Sequence, residues 1–426
     1  MFHTLKQLFA PTNKDLRKRI LFTLGALMVF AAGTSIRVPG QASLTDELGF
    51  LELMNVMGGG GLRNFSIFAL GVMPYITASI IMQLLQLDIV PYFSELEKEG
   101  PVGRQKINQI TRYMGIVFAF IQGFAFSFVF FKAGNALDHI YIATILTAGT
   151  AFTLWLGDQI TKKGIGNGIS LIIMAGIIKE LPTMFVLAFD GLILSSKLDL
   201  WLGIVLFSLF VIVYFLIIIG VIWVQEADRK VPIQYANKST VGMTGEQSYM
   251  PIKINSAGVV PVIFASSFLM IPQTIAQFVK NAGFTKFCNT YLNYNTLVGF
   301  LIYAFLIFFF GYFYTFIQIK PEELSKNLQQ NGGFIPGIRP GKETENYVSK
   351  VLSRLTVVGS IFLIIIAGLP ILFTALVNLS DKISLSNQVT IGGTGLLIVV
   401  GVALETYKQL EGSLVTRSYK KSYRRR

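Results

Sequence analysis

Charge is scarce in this chain. Only 14% of its 426 residues are Asp, Glu, Lys or Arg, where a soluble domain carries about a quarter. With 53% hydrophobic residues and a mean hydropathy of +0.60, the deficit excludes an ordinary soluble domain and indicates an integral membrane protein. Cysteine is nearly missing. Cys288 stands alone, so neither a disulfide framework nor a thiolate-built metal site is available. The two histidines, His3 and His139, lie in no Ser–His–carboxylate or Cys–His pattern. No catalytic residue and no metal ligand is therefore assigned. Long alternating strand patterns with paired turns are also missing, which argues against a membrane β-barrel.

Nucleotide motifs fail on inspection. Gly164-Ile165-Gly166-Asn167-Gly168 has the start of a dinucleotide turn, but Ile169 occupies the third glycine position and the run follows an apolar helix. Gly341-Lys342 hints at a phosphate loop, but Pro336 and Glu343 occupy its glycine and Ser/Thr positions. No cofactor is expected. Any energy for transport must come from a partner or from the membrane potential.

What the chain does have is long apolar runs. A bilayer core of about 30 Å takes roughly 20 apolar helical residues. Ten stretches qualify: Ile20–Ile36, Phe65–Leu87, Met114–Phe131, Ile140–Leu156, Ile169–Phe189, Trp201–Val224, Ala257–Val279, Leu297–Ile319, Val357–Val377 and Val389–Leu404. This predicts an all-α membrane protein with ten transmembrane helices. With the N-terminus inside, 28 of the 36 Lys and Arg residues fall in inside segments, which predicts two cytoplasmic termini. The basic Lys14–Arg19 flank favours an uncleaved first span over a signal peptide. Two inside loops, 225–256 and 320–356, exceed the two to eight residues that usually join bundled helices, and they read as docking sites.

Ionisable residues inside spans mark ion or substrate sites. Nine of the ten spans hold none. The fifth holds Lys179-Glu180, followed by Pro182, near its outer end. A secondary transporter with a charged midplane site is therefore disfavoured. The interior offers apolar residues, Gly, Ser, Thr and Gln, which suits a route that binds no sequence tightly.

Several strings carry a more specific signal. They are Gly58–Leu85 (GGGGLRNFSIFALGVMPYITASIIMQLL), Ile160–Ser170 (ITKKGIGNGIS), Asn255–Ser267 (NSAGVVPVIFASS), Asn331–Thr344 (NGGFIPGIRPGKET) and Ile391–Glu405 (IGGTGLLIVVGVALE). In this order the chain resembles the SecY family, the central subunits of bacterial protein-secretion channels, which are similar to the alpha subunit of the eukaryotic translocon. The resemblance implies a clamshell of two five-helix halves, residues 1–195 and 196–426. Unfolded preproteins would cross through the centre, and apolar segments would leave sideways into lipid. It implies SecE-like and SecG-like small subunits, the motor ATPase SecA, ribosomes, signal sequences and nascent chains as partners, in a bacterial cytoplasmic membrane.

The resemblance also assigns parts. The pore ring maps to Val72, Ile76, Ile169, Ile173, Ile263 and Ile398, all Val or Ile here. An apolar constriction gates by excluding water. Val72/Ile76 and Ile169/Ile173 are each four apart and share a helix face. The plug maps to residues 50–61, with Leu53, Met54 and Met57 ahead of the run Gly58, Gly59, Gly60, Gly61. Each glycine costs helix about 1 kcal/mol relative to Ala, so the run reads as a hinge. The lateral gate maps to Pro74, Ser79, Gln83, Gln122, Pro261, Ser266 and Ser267. Its prolines are expected to kink two spans, and its polar side chains to bond weakly across the closed gate. SecA and ribosome contacts map to Arg339, Pro340, Gly341 and Lys342 in GIRPGK, and to Arg229 and Lys230. The chain departs from the family pattern at the loop tip 237–246, which holds a single lysine, Lys238.

Overall fold

Helices begin where capping residues meet apolar runs. Asn167 accepts hydrogen bonds from the Ile169 and Ser170 amides, Thr296 accepts from the Gly299 amide, and Asn135 with Asp138 closes a capping box. The computed structural model describes residues 14–39, 55–56, 58–86, 90–130, 135–194, 199–235, 248–279, 282–293, 296–378 and 387–424. Its helices are α1 Lys14–Gly33, α2 Met73–Leu85, α3 Pro91–Lys98, α4 Pro101–Phe130, α5 Ala136–Lys163, α6 Gly168–Phe189, α7 Leu200–Glu226, α8 Val260–Val279, α9 Ala282–Tyr291, α10 Leu297–Gln318, α11 Pro321–Gln330, α12 Lys342–Asn378 and α13 Asn387–Arg424.

Each of the ten expected spans falls on a helix: α1, α2, α4 to α8, α10, α12 and α13. Among the described residues, six of these are long and apolar enough to cross a membrane on length and composition, while α2 and α8 contain shorter apolar stretches. The fifth span holds as helix through Lys179, Glu180 and Pro182, then runs on as a π turn, Asp190–Leu194.

The second span differs from expectation. Its helix starts at Met73, eight residues after Phe65. Residues 65–72 form turns, with Gly71 at φ 53° and Phe65 at φ 44°. Apolar residues fill this stretch because it is buried, not because it is helical; Phe65, Ala69 and Leu70 are at most 1% exposed.

The starts of α2 and α8 are written alike. Gly71–Ile80 and Gly258–Ser267 are identical at six of ten positions (GVMPYITASI and GVVPVIFASS). Both glycines have positive φ, 53° and 63°. Both prolines occupy the second helical position. This corrects the expected kinks at Pro74 and Pro261. The first four amides of a helix have no intrahelical acceptor, so proline there breaks no bond. The interior prolines are Pro182, Pro272 and Pro370.

The two long loops are not independent. From the first come β1, Asp228–Tyr235, and β2, Ser248–Lys253, an antiparallel hairpin pairing Asp228 with Lys253 and Ile233 with Ser248. From the second comes β3, Gly333–Phe334, which adds to β1 through Gln234–Phe334 and Tyr235–Gly333. Pro232 is tolerated in the central strand because β3 pairs only with residues 234 and 235, leaving that edge free at 232. Val231 and Ile252 point into a small core with Ile335, Val348 and Leu352. The loops thus form one rooted module on one face of the bundle, hereafter the loop face. The tip at 237–246 lies outside the described residues.

Candidate functional site

Helices α6, α7, α8, α10 and α13, with the segment before α8, leave a cavity of about 190 Å³. Its apolar wall includes Ile173 of α6, Ile263 of α8 and Ile398 of α13. Its rim is polar and lies toward the loop face, with Gln225, Lys253, Glu405 and Lys408. Lys408 bonds Glu226 at 2.9 Å, tying α13 to α7 beside the opening. Three of the six expected ring residues therefore meet in one space. Val72 and Ile76 do not line it, although they belong to the same apolar core as those three. Ile169 packs against α5, where a side chain on Gly157 would approach its Cγ1 to 3.2 Å.

The glycine run packs against α6, beyond Ile173 of the cavity wall. Asn55 and Val56 are buried, and so are Gly58 to Gly61. Gly59 and Gly60 take φ values of 69° and 73°, which side chains rarely adopt. The Gly60 amide donates to the Asn55 carbonyl at 2.9 Å and the Arg63 amide to Asn55 Oδ1 at 2.9 Å, closing the turn. A side chain at Gly59 would stand 3.0 Å from Gly176 Cα of α6. One at Gly395 of α13 would stand 2.9 Å from Ile177 and 3.9 Å from Val56. Gly176 follows Ile173, and Gly395 precedes Ile398, by three residues, a rise of about 4.5 Å. The turn thus lies one helical turn from the apolar wall on two helices. Residues 50–54, including Leu53 and Met54, and Met57 lie outside the described residues.

The expected lateral gate is a packed seam. Helix α8 lies against α2 and α4. Pro74, Pro261, Ser266 and Ser267 are buried, and Ser79, Gln83 and Gln122 are half-buried. The expected bonding across the seam is not found among the described residues. Gln83 Nε2 donates to Ser79 within α2 at 3.4 Å, and Ser266 donates to the Ile263 carbonyl within α8 at 2.8 Å. Hydroxyls on helices find their own carbonyls first. Gln83 Oε1, Gln122 Oε1 and Ser267 Oγ are buried without a partner.

At the loop face the seam closes differently. Lys320 donates to Glu97 at 2.7 Å, joining the end of α10 to α3. That hydrogen bond, with the neighbouring carboxylates, raises the Lys320 pKa. Below the pair lies a cavity of about 470 Å³ between α2, α3 and α10, lined by Gln83, Gln86, Tyr312 and Phe316.

The basic residues lie on the loop module. Arg339, Pro340 and Lys342 are exposed, and Gly341 is half-buried at φ 102°. The loop is pinned from below. Thr344 donates to the Arg339 carbonyl at 2.9 Å and Ser325 to the Gly341 carbonyl at 2.8 Å, while Ile335 is 2% exposed. Arg229 and Lys230 are exposed on β1, with Lys230 Nζ 5.6 Å from the Tyr249 ring.

Comparison with known proteins agrees with this architecture. The SecY family profile matches residues 66–407. A protein translocase subunit SecY of Staphylococcus epidermidis is 46% identical over 434 residues, covering 99% of each chain. One from Halalkalibacterium halodurans is 47% identical over 435 residues, again 99% of each. Among solved structures, a protein-conducting channel superposes with a TM-score of 0.66 at 18% identity, over 94% of this chain and 93% of that one. Sec61 from a canine ribosome–channel complex superposes at 0.63 with 19% identity, over the same shares. With nearly the whole chain matched at almost half its positions, and the family profile spanning both repeat-bearing helices, the chain belongs to the SecY family.

Proposed function

We propose that this chain is the pore-forming subunit of a protein-conducting channel in a bacterial cytoplasmic membrane. The observation that carries this is the apolar cavity where Ile173, Ile263 and Ile398 meet, with a glycine turn packed one helical turn beyond it. Such a space seals against ions by excluding water and can fit itself around a passing chain. Ile173, Ile263 and Ile398 form the constriction, with Val72, Ile76 and Ile169 packed around it. The stretch 50–61 is the plug, hinged at Gly58–Gly61. The loop face is cytoplasmic, in keeping with the placement of Lys and Arg, and both termini lie there.

The two halves are residues 1–195 and 196–426. The matching starts of α2 and α8 support that division. The seam between α2/α4 and α8/α10 is the lateral exit for apolar segments. Its unpartnered Gln83, Gln122 and Ser267 atoms leave it weakly held on the polar side. SecE-like and SecG-like subunits complete the channel. SecA or a ribosome engages the loop module through Arg339, Pro340, Gly341, Lys342, Arg229 and Lys230. The chain holds no nucleotide motif, so the motor is external.

The test is translocation into vesicles carrying the chain with its copurifying small subunits. With SecA and ATP, an unfolded preprotein becomes protected from protease, and Arg339→Glu abolishes protection while leaving assembly intact. Saturable uptake of a small solute with no preprotein protection would overturn the reading.

A further inference from the structure

The one charged pair inside a span has no role in the constriction, the seam or the loop module. Lys179 and Glu180 lie midway along α6, Gly168–Phe189, both half-buried. Charges at such depth persist where specific partners hold them. Lys179 Nζ donates to Thr34 Oγ1 at 2.7 Å. Thr34 is fully buried, just past the end of α1, and its own proton goes to the Ala31 carbonyl at 2.8 Å. Its lone pair is therefore what Lys179 uses. The lysine staples the end of α1 to α6.

Glu180 closes the other side. A methyl group added at Gly60 would overlap Glu180 Oε1. Gly176 and Glu180 are one turn apart on the same face of α6. Gly176 meets Gly59, and Glu180 covers Gly60. On the far side, Gly59 faces Thr34 Cγ2 at 3.6 Å and Phe30 at 3.7 Å, measured from where its Cβ would stand. The hinge glycines thus occupy a slot with α6 as one wall and the end of α1 as the other. Lys179 fixes the distance between the walls, and Glu180 caps the slot.

We infer that Lys179 and Glu180 are positioning residues that clasp the glycine hinge in the resting channel. The hinge leaves its slot only when the middle of α6 moves away from the end of α1 and breaks the Lys179–Thr34 bond. This rests on the channel reading above.

The test is resting conductance in planar bilayers, using the full chain with its small subunits. Glu180→Ala raises it about tenfold, the population shift expected from uncapping the slot. Lys179→Met raises it by a smaller factor, and Glu180→Gln, which keeps the shape, falls between Glu180→Ala and wild type. Gly60→Ala separates a clasp from a general packing role. It raises conductance on its own, and raises it less in the Glu180→Ala background, where its methyl group has room. Ile263→Asn serves as the channel control. If Ile263→Asn leaks but Glu180→Ala stays within twofold of wild type, the clasp is wrong and the channel reading stands. Equal effects of Gly60→Ala in both backgrounds likewise overturn the clasp. If neither Ile263→Asn nor Glu180→Ala leaks, both readings fail.

Discussion

Helices α2 and α8 open with nearly the same words and end in different surroundings. Each begins with a positive-φ glycine, a valine and a proline at the second helical position. At α2 the glycine is covered, since a side chain on Gly71 would stand 3.5 Å from Gly58 Cα of the glycine turn. At α8 nothing stands within 4 Å of the same point on Gly258, which borders the cavity of Ile173, Ile263 and Ile398. The α8 start follows β2 on the loop face, while the α2 start lies away from it, because α2 ends toward α3 and the loop face. Local sequence therefore writes the backbone, and the preceding segment decides whether it is sealed. The glycine turn thus covers one start and leaves the other bordering the cavity.

The largest expected contrast lies at Ile76 and Ile263, equivalent positions of the repeat. Ile263 borders the cavity and Ile76 does not. On the proposed channel reading, Ile263→Asn should raise resting conductance about tenfold or more, because a polar group admits water where an apolar constriction would gate by dryness. Ile76→Asn should instead bury an unpaired amide and destabilise by about 1–3 kcal/mol, read as a lower thermal midpoint with near-wild-type conductance. Equal leaks from the two would break the comparison.

Much of this was legible beforehand. Ten helices could be placed from apolar runs because lipid demands about 20 apolar residues in each. The α2 start could not, because Phe65–Val72 is as apolar as a helix yet is folded into buried turns. The sheet was illegible because β1 and β3 come from loops about a hundred residues apart, and β3 is two residues long. Of the ring, Ile173, Ile263 and Ile398 meet, whereas Ile169 turns toward Gly157. Spacing of four puts two residues on one face but not at one depth. The partners of Lys179 and Glu180 were hidden by separation, Thr34 being 145 residues away. The repeat itself was readable: GVxPxIxAS occurs at both Gly71 and Gly258.

The glycines give a smaller contrast. Gly71→Ala and Gly258→Ala each place a side chain at positive φ, costing about 1–2 kcal/mol. The two losses should match closely, because 3.5 Å is an ordinary contact that the Gly58 backbone can accept. Thermal unfolding of the two variants measures this. A clearly larger loss at Gly71 would show that the glycine turn presses on α2 harder than its geometry implies.

The seam at the loop face offers a third test. Lys320–Glu97 is partly exposed, so Lys320→Met should cost no more than about 1 kcal/mol. Its pH dependence has a definite sign. The folded-state pKa of Lys320 is raised, with the hydrogen bond to Glu97 as the largest cause. The contribution is therefore complete below the ordinary lysine pKa and fades as pH rises through the raised value. The difference between wild type and Lys320→Met should be constant through neutral pH and shrink only in the alkaline range. High salt should shrink it too, while the buried seam around Ser267 stays unaffected.

The prolines carry the smallest effect, and it bears directly on how the two starts work. Pro74 and Pro261 occupy the second helical position, where no amide acceptor waits. At α2 the Tyr75 and Ile76 amides already reach the Val72 carbonyl, both at 3.1 Å, so the first turn closes around the proline without distortion. Replacing either proline by Ala removes only its restriction of the unfolded chain, about 0.4–1 kcal/mol. Pro272 differs because it interrupts α8 internally. Pro272→Ala should restore a backbone bond and stiffen α8, seen as slower amide exchange near residue 272. If Pro74→Ala or Pro261→Ala instead changed conductance or stability as much as Pro272→Ala, the prolines would be working hinges of the gate. Small effects at both would make them start markers, and would locate whatever bending α8 undergoes at Pro272, beyond the shared sequence.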